Sequence, residues 1–149
     1  MPVGEVTKFE RFYREAAGLD VDKRDIRRHG DFVARKTYDM LVAAQSAAGA
    51  NDRDLIEPRD LPITRGLQQL IDEFRKLNQA IEISPIFDEV QGRPQLEMSL
   101  SEQTDARLPL VAGGLSLGLA RAFTIVDTTL RNPQTEHWER AFRLFDLLL

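Results

Sequence analysis

Apolar positions recur at helical spacing along almost the whole chain. Phe9, Phe12 and Tyr13 share one face of a helix predicted over Val6–Ala17, which Gly18 stops. Leu19–Asp22 is a short link in which Asp20 or Asp22 can cap the next helix. That helix is predicted from Lys23 to Ala50, with Ile26, Val33, Thr37, Met40, Leu41, Ala44 and Ala48 on its apolar stripe and Gly30 as its weakest interior point. The pattern then breaks at NDRDLIEPRDL, where Leu55–Ile56 is an extended apolar pair and Pro58 forbids simple continuation. Asp60 is expected to cap a third helix, with Pro62 in its first turn and its end near Asn78. Ile63, Leu67, Leu70, Ile71, Phe74 and Leu77 give that helix the cleanest amphipathic pattern in the chain.

The second half repeats the scheme. Ser84–Pro85 opens a short predicted helix, SPIFDEV, ended at Gly92, and Gln95–Leu100 alternates polar and apolar residues like a strand. From Ala106 to Leu130 comes the stretch around which the rest must pack. Leu108, Val111, Leu115, Leu119, Ala122, Val126 and Leu130 recur every three or four residues, and no charge falls between Arg107 and Arg121. Gly113, Gly114 and Gly118 cost helix stability there, which implies that another backbone comes close. Pro109 either starts this helix or kinks it. The uncharged run Leu108–Ala120 spans 13 residues, short of the ~20 a bilayer crossing needs. Asn132–Pro133 breaks the pattern, and Thr135 caps a last helix, Glu136–Leu148, with Trp138, Ala141, Phe142, Phe145, Leu148 and Leu149 inward. The expected fold is therefore all-α: one domain over residues 1–149, in two halves, 1–80 and 81–149.

Charge narrows the range of partners. Residues 1–80 balance 14 basic against 14 acidic residues, while residues 81–149 carry 6 against 10, so the net −4 sits wholly in the second half. A sequence pI near 5.2 argues against a protein whose main role is coating polyphosphate. The absence of cysteine excludes disulfides and thiolate chemistry, and the charged N-terminus has no apolar signal core, so a cytoplasmic location is expected.

The densest basic cluster is Lys23, Arg24, Arg27 and Arg28, with Arg35 and Lys36 further along the same helix. Its place at a helix start suits phosphate, and a nucleic-acid contact there should fail in the double substitution Arg27→Ala, Arg28→Ala; interleaved Asp20, Asp22, Asp25 and Asp31 favour plain surface ion pairing. His29 and His137 belong to no metal-binding spacing and are read as surface or partly buried structural histidines. GGLSLG lacks the Lys-Ser/Thr of a phosphate loop, and Ser116 lacks a nucleophile-elbow context. No catalytic, cofactor or metal site is expected, and hence no enzyme.

A short helix, a long helix and a third helix joined by loops resemble the histone fold. Arg53 and Asp60 match the Arg and Asp, seven residues apart, that histones join as a structural ion pair around their second loop. RDLIEPRDLPITRGLQ and NPQTEHWERAFRLFDLLL resemble segments of an uncharacterised bacterial family that places two histone folds in one chain. The resemblance implies an intramolecular histone-like pseudodimer, its two long helices crossing head to tail. It also implies that Leu55–Glu57 lies beside Gln95–Leu100, and Leu19–Val21 beside Asn132–Thr135. The chain departs from the histone pattern at Asp54 and Leu55, where histones usually carry a basic residue and a phosphate-holding Thr, and Arg131 is followed seven positions later by Trp138 instead of Asp. Two readings of function follow: a histone-fold protein that assembles with itself or a partner and binds DNA weakly through Lys23, Arg24, Arg27, Arg28 and Arg35, or a protein-interaction scaffold without nucleic acid. Neither involves a membrane.

Overall fold

A computed structural model describes residues 3–81 and 95–149, with side chains described from residue 6 to 80 and from 95 onward. Five helices carry the architecture: α1 (Val3–Ala17), α2 (Lys23–Ala50), α3 (Arg65–Ile81), α4 (Glu102–Val126) and α5 (Thr135–Leu148). Two two-residue strands, β1 (Leu55–Ile56) and β2 (Ser99–Leu100), complete it. The chain is all-helical in class. The expected SPIFDEV helix lies outside the described residues.

Local chemistry sets each boundary. Gly18, at φ +66°, takes the left-handed turn that closes α1, with Leu19 N–H reaching the Tyr13 carbonyl at 3.3 Å. Asp22 is the cap of α2. Its carboxylate accepts from the backbone N–H of Arg24 at 2.8 Å and Asp25 at 3.3 Å, and Asp25 reciprocates by accepting from Asp22 N–H at 3.0 Å. The third helix starts later than the sequence suggested, because Asp60 is used elsewhere. Its carboxylate is turned to Arg53 and to the Glu57 N–H, so Pro58–Asp60 closes as a 3₁₀ turn. Thr64, whose Oγ accepts from Leu67 N–H at 3.2 Å, does the capping instead.

The central helix α4 begins four residues before Ala106 and ends four before Leu130. Ser101 caps it, accepting from Thr104 N–H at 3.1 Å, and Pro109 lies inside the continuous helix instead of at its start. Asp127 ends it by folding back to accept from the Thr129 N–H and hydroxyl. Over its 25 residues α4 is long and apolar enough to cross a membrane by length and composition. In this fold Val111–Leu117 are all buried, and Leu119, Ala120 and Phe123 with them.

The glycines explain how α4 is covered. A Cβ at Gly113 would overlap the Phe74 ring, and one at Gly114 would stand 2.7 Å from Ile71 Cγ1 and 3.2 Å from the Ile71 backbone nitrogen. Gly118 faces Leu70 in the same way, at 2.9 Å. The three glycines are the bed on which α3 lies. The buried stripe of α2 and the aromatic face of α1 join α4 in the same core, and Trp138 and Ala141 bring in α5.

Two cross-connections tie the first half to the second. β1 and β2 pair in parallel, Leu55 opposite Ser99 and Ile56 opposite Leu100, and the ladder extends through Ser101 N–H to the Ile56 carbonyl at 2.9 Å. At the opposite junction the Asp20 N–H donates to the Arg131 carbonyl at 2.7 Å. Neither extended scrap has a local partner, so each finds its backbone hydrogen bonds across the molecule.

The α3–α4 contact yields a paired test by urea denaturation. Gly114→Ala must displace backbone and is expected to cost about 1–3 kcal/mol. Gly30→Ala meets nothing within 4 Å and should stabilise α2 by about 0.5–1 kcal/mol. Equal effects of the two substitutions would contradict the packing described.

Candidate functional site

The basic cluster of α2 is divided between surface and interior. Lys23, Arg24 and Arg27 are exposed, with only loose partners: Asp22 at 3.6 Å from Arg24 and Asp31 at 3.9 Å from Arg27. Arg28 turns inward. It lies 3.5 Å from Asp25, donates to the Thr135 hydroxyl at 3.3 Å and sets its guanidinium 6.0 Å from the centroid of the Trp138 ring. Arg35 and the buried Lys36 both engage Asp146 of α5, at 3.3 and 2.6 Å. The Lys36 hydrogen bond, followed by that of Arg35, holds the Asp146 carboxyl below the usual carboxylate range. Of the five residues considered for nucleic acid, then, Lys23, Arg24, Arg27 and Arg35 are exposed and Arg28 is half-buried, with Arg28 and Arg35 also bonded to α5.

Arg53 and Asp60 meet in a two-pronged ion pair, Nη1 to Oδ2 at 2.6 Å and Nη2 to Oδ1 at 2.5 Å. That hydrogen bonding brings the Asp60 carboxyl down to about 2. Glu57 joins from the side, 3.3 Å from Arg53 and 2.8 Å from Arg59. A hollow of about 420 Å³ opens beside this group between Ala47, Asn51, Arg53, Arg59 and Asp60. Its cations are already answered by carboxylates, so it has little left for an anion.

Sequence spacing alone does not assemble the polar chain buried at the centre. Tyr13 of α1, His29 of α2 and Ser116 of α4 are all at most 1% exposed. The Ser116 hydroxyl donates to the Ala112 carbonyl at 2.7 Å, the usual back-bond of a helical serine. Its oxygen must therefore accept at its other contact, 2.9 Å from His29 Nε2, which places the imidazole proton on Nε2. Nδ1 is then the acceptor, and the Tyr13 hydroxyl donates to it at 2.7 Å. Phe9, Tyr13 and Trp138 crowd the imidazole edge-on. Burial pushes the His29 pKa down to about 3, and burial followed by the nearby Asp25 charge raises the Tyr13 phenol well above its ordinary value. Ser116 and His29 stand at hydrogen-bond distance like a nucleophile and its base. The direction of the hydrogen bonds argues otherwise, since the serine proton is committed to a carbonyl and the histidine donates to the serine. The chain is a three-helix lock.

Two signals in the sequence are consistent with this lock. His29 falls three residues after Ile26 and four before Val33, on the apolar stripe, and Ser116 is the lone hydroxyl within the uncharged run of α4. A polar group at such positions needs a buried partner. His137 serves a different purpose, because its Nδ1 accepts from the Gln134 N–H at 2.8 Å and closes the first turn of α5. Among the described residues no three His, Asp or Glu converge as metal ligands would.

The last feature is an apolar groove of about 370 Å³ between the end of α4 and α5, with Ala122, Phe123, Val126, Leu130, Ala141 and Leu144 as its apolar lining and Asp127, His137 and Arg140 as its polar lining. Val126, one of these lining residues, is 65% exposed. The sequence pattern puts Leu148 and Leu149 inward, but both are exposed with Leu147 at the end of α5.

The family described as Domain of unknown function (DUF1931) matches residues 9–146, and the chain belongs to it. A protein of Thermus thermophilus known from a crystal structure is 47% identical and superimposes with a TM-score of 0.88 over 97% of both chains. A crystal structure of an Aquifex aeolicus protein, 24% identical, shares the fold with a TM-score of 0.84, covering 97% of this chain and 95% of that one. An Aquifex aeolicus (strain VF5) relative described as an uncharacterized protein is 25% identical over 139 residues, 93% of this chain and 81% of its own.

The lock sets a pH dependence. In the unfolded chain an imidazole takes up a proton below about pH 6.5, whereas folded His29 stays neutral down to about pH 3. The unfolded state thus binds more protons throughout that window. This contribution to stability is complete above pH 6.5 and is lost as pH falls towards 3, at up to about 1.4 kcal/mol per pH unit. Between pH 6 and 5, above the range of the lowered carboxylates Asp60 and Asp146, unfolding free energies of wild type should slope with pH. Those of His29→Gln should be flatter by one proton. Parallel slopes would mean that His29 titrates normally in the folded protein.

Proposed function

We propose that the chain is a non-enzymatic histone-fold module, two tandem folds closed on each other as an intramolecular pair, whose role is protein association and not the binding of nucleic acid. The observation that carries this reading is the pair of cross-connections. The loop before one long helix meets the loop after the other at both ends of the molecule: Leu55–Ile56 on Ser99–Leu100, and Asp20 on Arg131. This supports the handshake that the histone resemblance implies.

The surface chemistry favours protein over DNA. A phosphate-binding junction needs unpaired cations and free helix N-termini. Here the α2 N-terminus is filled by the Asp22 carboxylate. Asp52 and Asp54 flank the loop Arg, which is itself bound to Asp60 and Glu57. Glu97, Glu102 and Asp105 border the β2 side. The DNA-binding alternative draws on Lys23, Arg24 and Arg27, which remain exposed at one end of α2. We place the protein in the cytoplasm, in keeping with a sequence free of cysteine.

Fluorescence anisotropy with a labelled duplex, at low and then moderate salt, tests the proposal. No saturable binding at low salt is the expected outcome. Binding that weakens steeply with salt and is lost in the double variant Arg24→Ala, Arg27→Ala would overturn it in favour of the nucleic-acid reading.

A further inference from the structure

We infer that the α4–α5 groove is a self-association surface and that its occupant is the same surface of a second copy of this chain. The inference rests on the protein-association reading above and names the partner. Two properties of the patch point to self-recognition. First, it offers both shapes that a contact needs. Val126, 65% exposed, projects from its lining, while Ala122 and Ala141, with their short side chains, leave the hollow between α4 and α5. A two-fold rotation sets the ridge of each copy against the hollow of the other, which is the isologous arrangement typical of homodimers. Second, it offers both charges. Asp127 and Arg140 line the same groove. No ion pair engages Arg140 among the described residues, and the Asp127 carboxyl is held below its ordinary range by hydrogen bonds from Thr129. The same rotation brings Asp127 of one copy towards Arg140 of the other, twice per dimer.

Among the described residues, the hollow beside Arg53 and Asp60 is polar and internally neutralised, and the one along Gln95–Asp105 has acids as its only charged lining. The Tyr13–His29–Ser116 chain is sealed from solvent.

Sedimentation of the full chain over a concentration series provides the test. Wild type is expected to dimerise, and Val126→Glu, at a lining position that is 65% exposed and does not threaten folding, should weaken dimerisation about tenfold or more. The decisive arm mixes two charge reversals. Arg140→Glu alone sets acid against Asp127, and Asp127→Lys alone sets base against Arg140, so each should be monomeric. Mixed together, the two variants pair opposite charges at both contacts and should form a heterodimer. A wild type that stays monomeric at every concentration overturns the inference, as does a dimer indifferent to Val126→Glu and to the single reversals. Either result leaves the module reading standing if the duplex titration is also negative, whereas duplex binding overturns that reading whatever the oligomeric state.

Discussion

The approach of the α3 backbone to the glycine face of α4 is the contact on which the other elements depend. α4 carries no charge between Arg107 and Arg121, so nearly its whole circumference has to be taken out of water. Gly113, Gly114 and Gly118 remove the side chains that would hold α3 away and let Phe74, Ile71 and Leu70 settle on the helix itself. The remaining faces are then shared by α1, α2 and α5 through one continuous core. Each fully buried large side chain in it, such as Phe74 or Leu119, contributes about 1.5–3 kcal/mol relative to exposure.

A core of that kind is tolerant of detail unless something fixes its register. The polar chain through Tyr13, His29 and Ser116 does so, because its hydrogen bonds run in one direction only, from α1 to α2 to α4. Shifting any one helix by a turn would leave buried donors and acceptors unpaired, at a cost of about 1–3 kcal/mol per group. The Lys36–Asp146 pair does the same for α5 at the edge of the core.

Much of this was legible in the residues. The span of α2, a cap at Asp20 or Asp22 and the small-residue bed on α4 follow from spacing and residue type, whereas the closeness of Arg53 to Asp60 was implied by the histone resemblance. Other features depended on competition that a single sequence does not display. Asp60 could cap a helix or bind Arg53, and it does the latter, which moves the start of α3 to Thr64 and Arg65. Pro109 reads as either a start or a kink of α4; Ser101, which the sequence also offers as the opening, caps the helix, and the proline lies inside it. Leu148 fits the inward stripe of α5 by period alone, yet it is exposed, because period does not say which part of a stripe another element covers. The histidine was read as structural but as surface or partly buried, whereas it is 1% exposed; its partners, 16 and 87 residues away, could not be read from local pattern.

On this reading the two halves are closed on each other as one cooperative unit, with the cross-connections as integral parts of it. Native-state hydrogen exchange measures this directly at two amides: Asp20 N–H, bonded to Arg131, and Ser101 N–H, bonded to Ile56. If the halves open only together, both amides should exchange with the free energy and denaturant dependence of the α4 core amides. Exchange of either through a small, denaturant-insensitive opening, while α3 and α4 stay protected, would show that the halves merely touch and would contradict the closed pair.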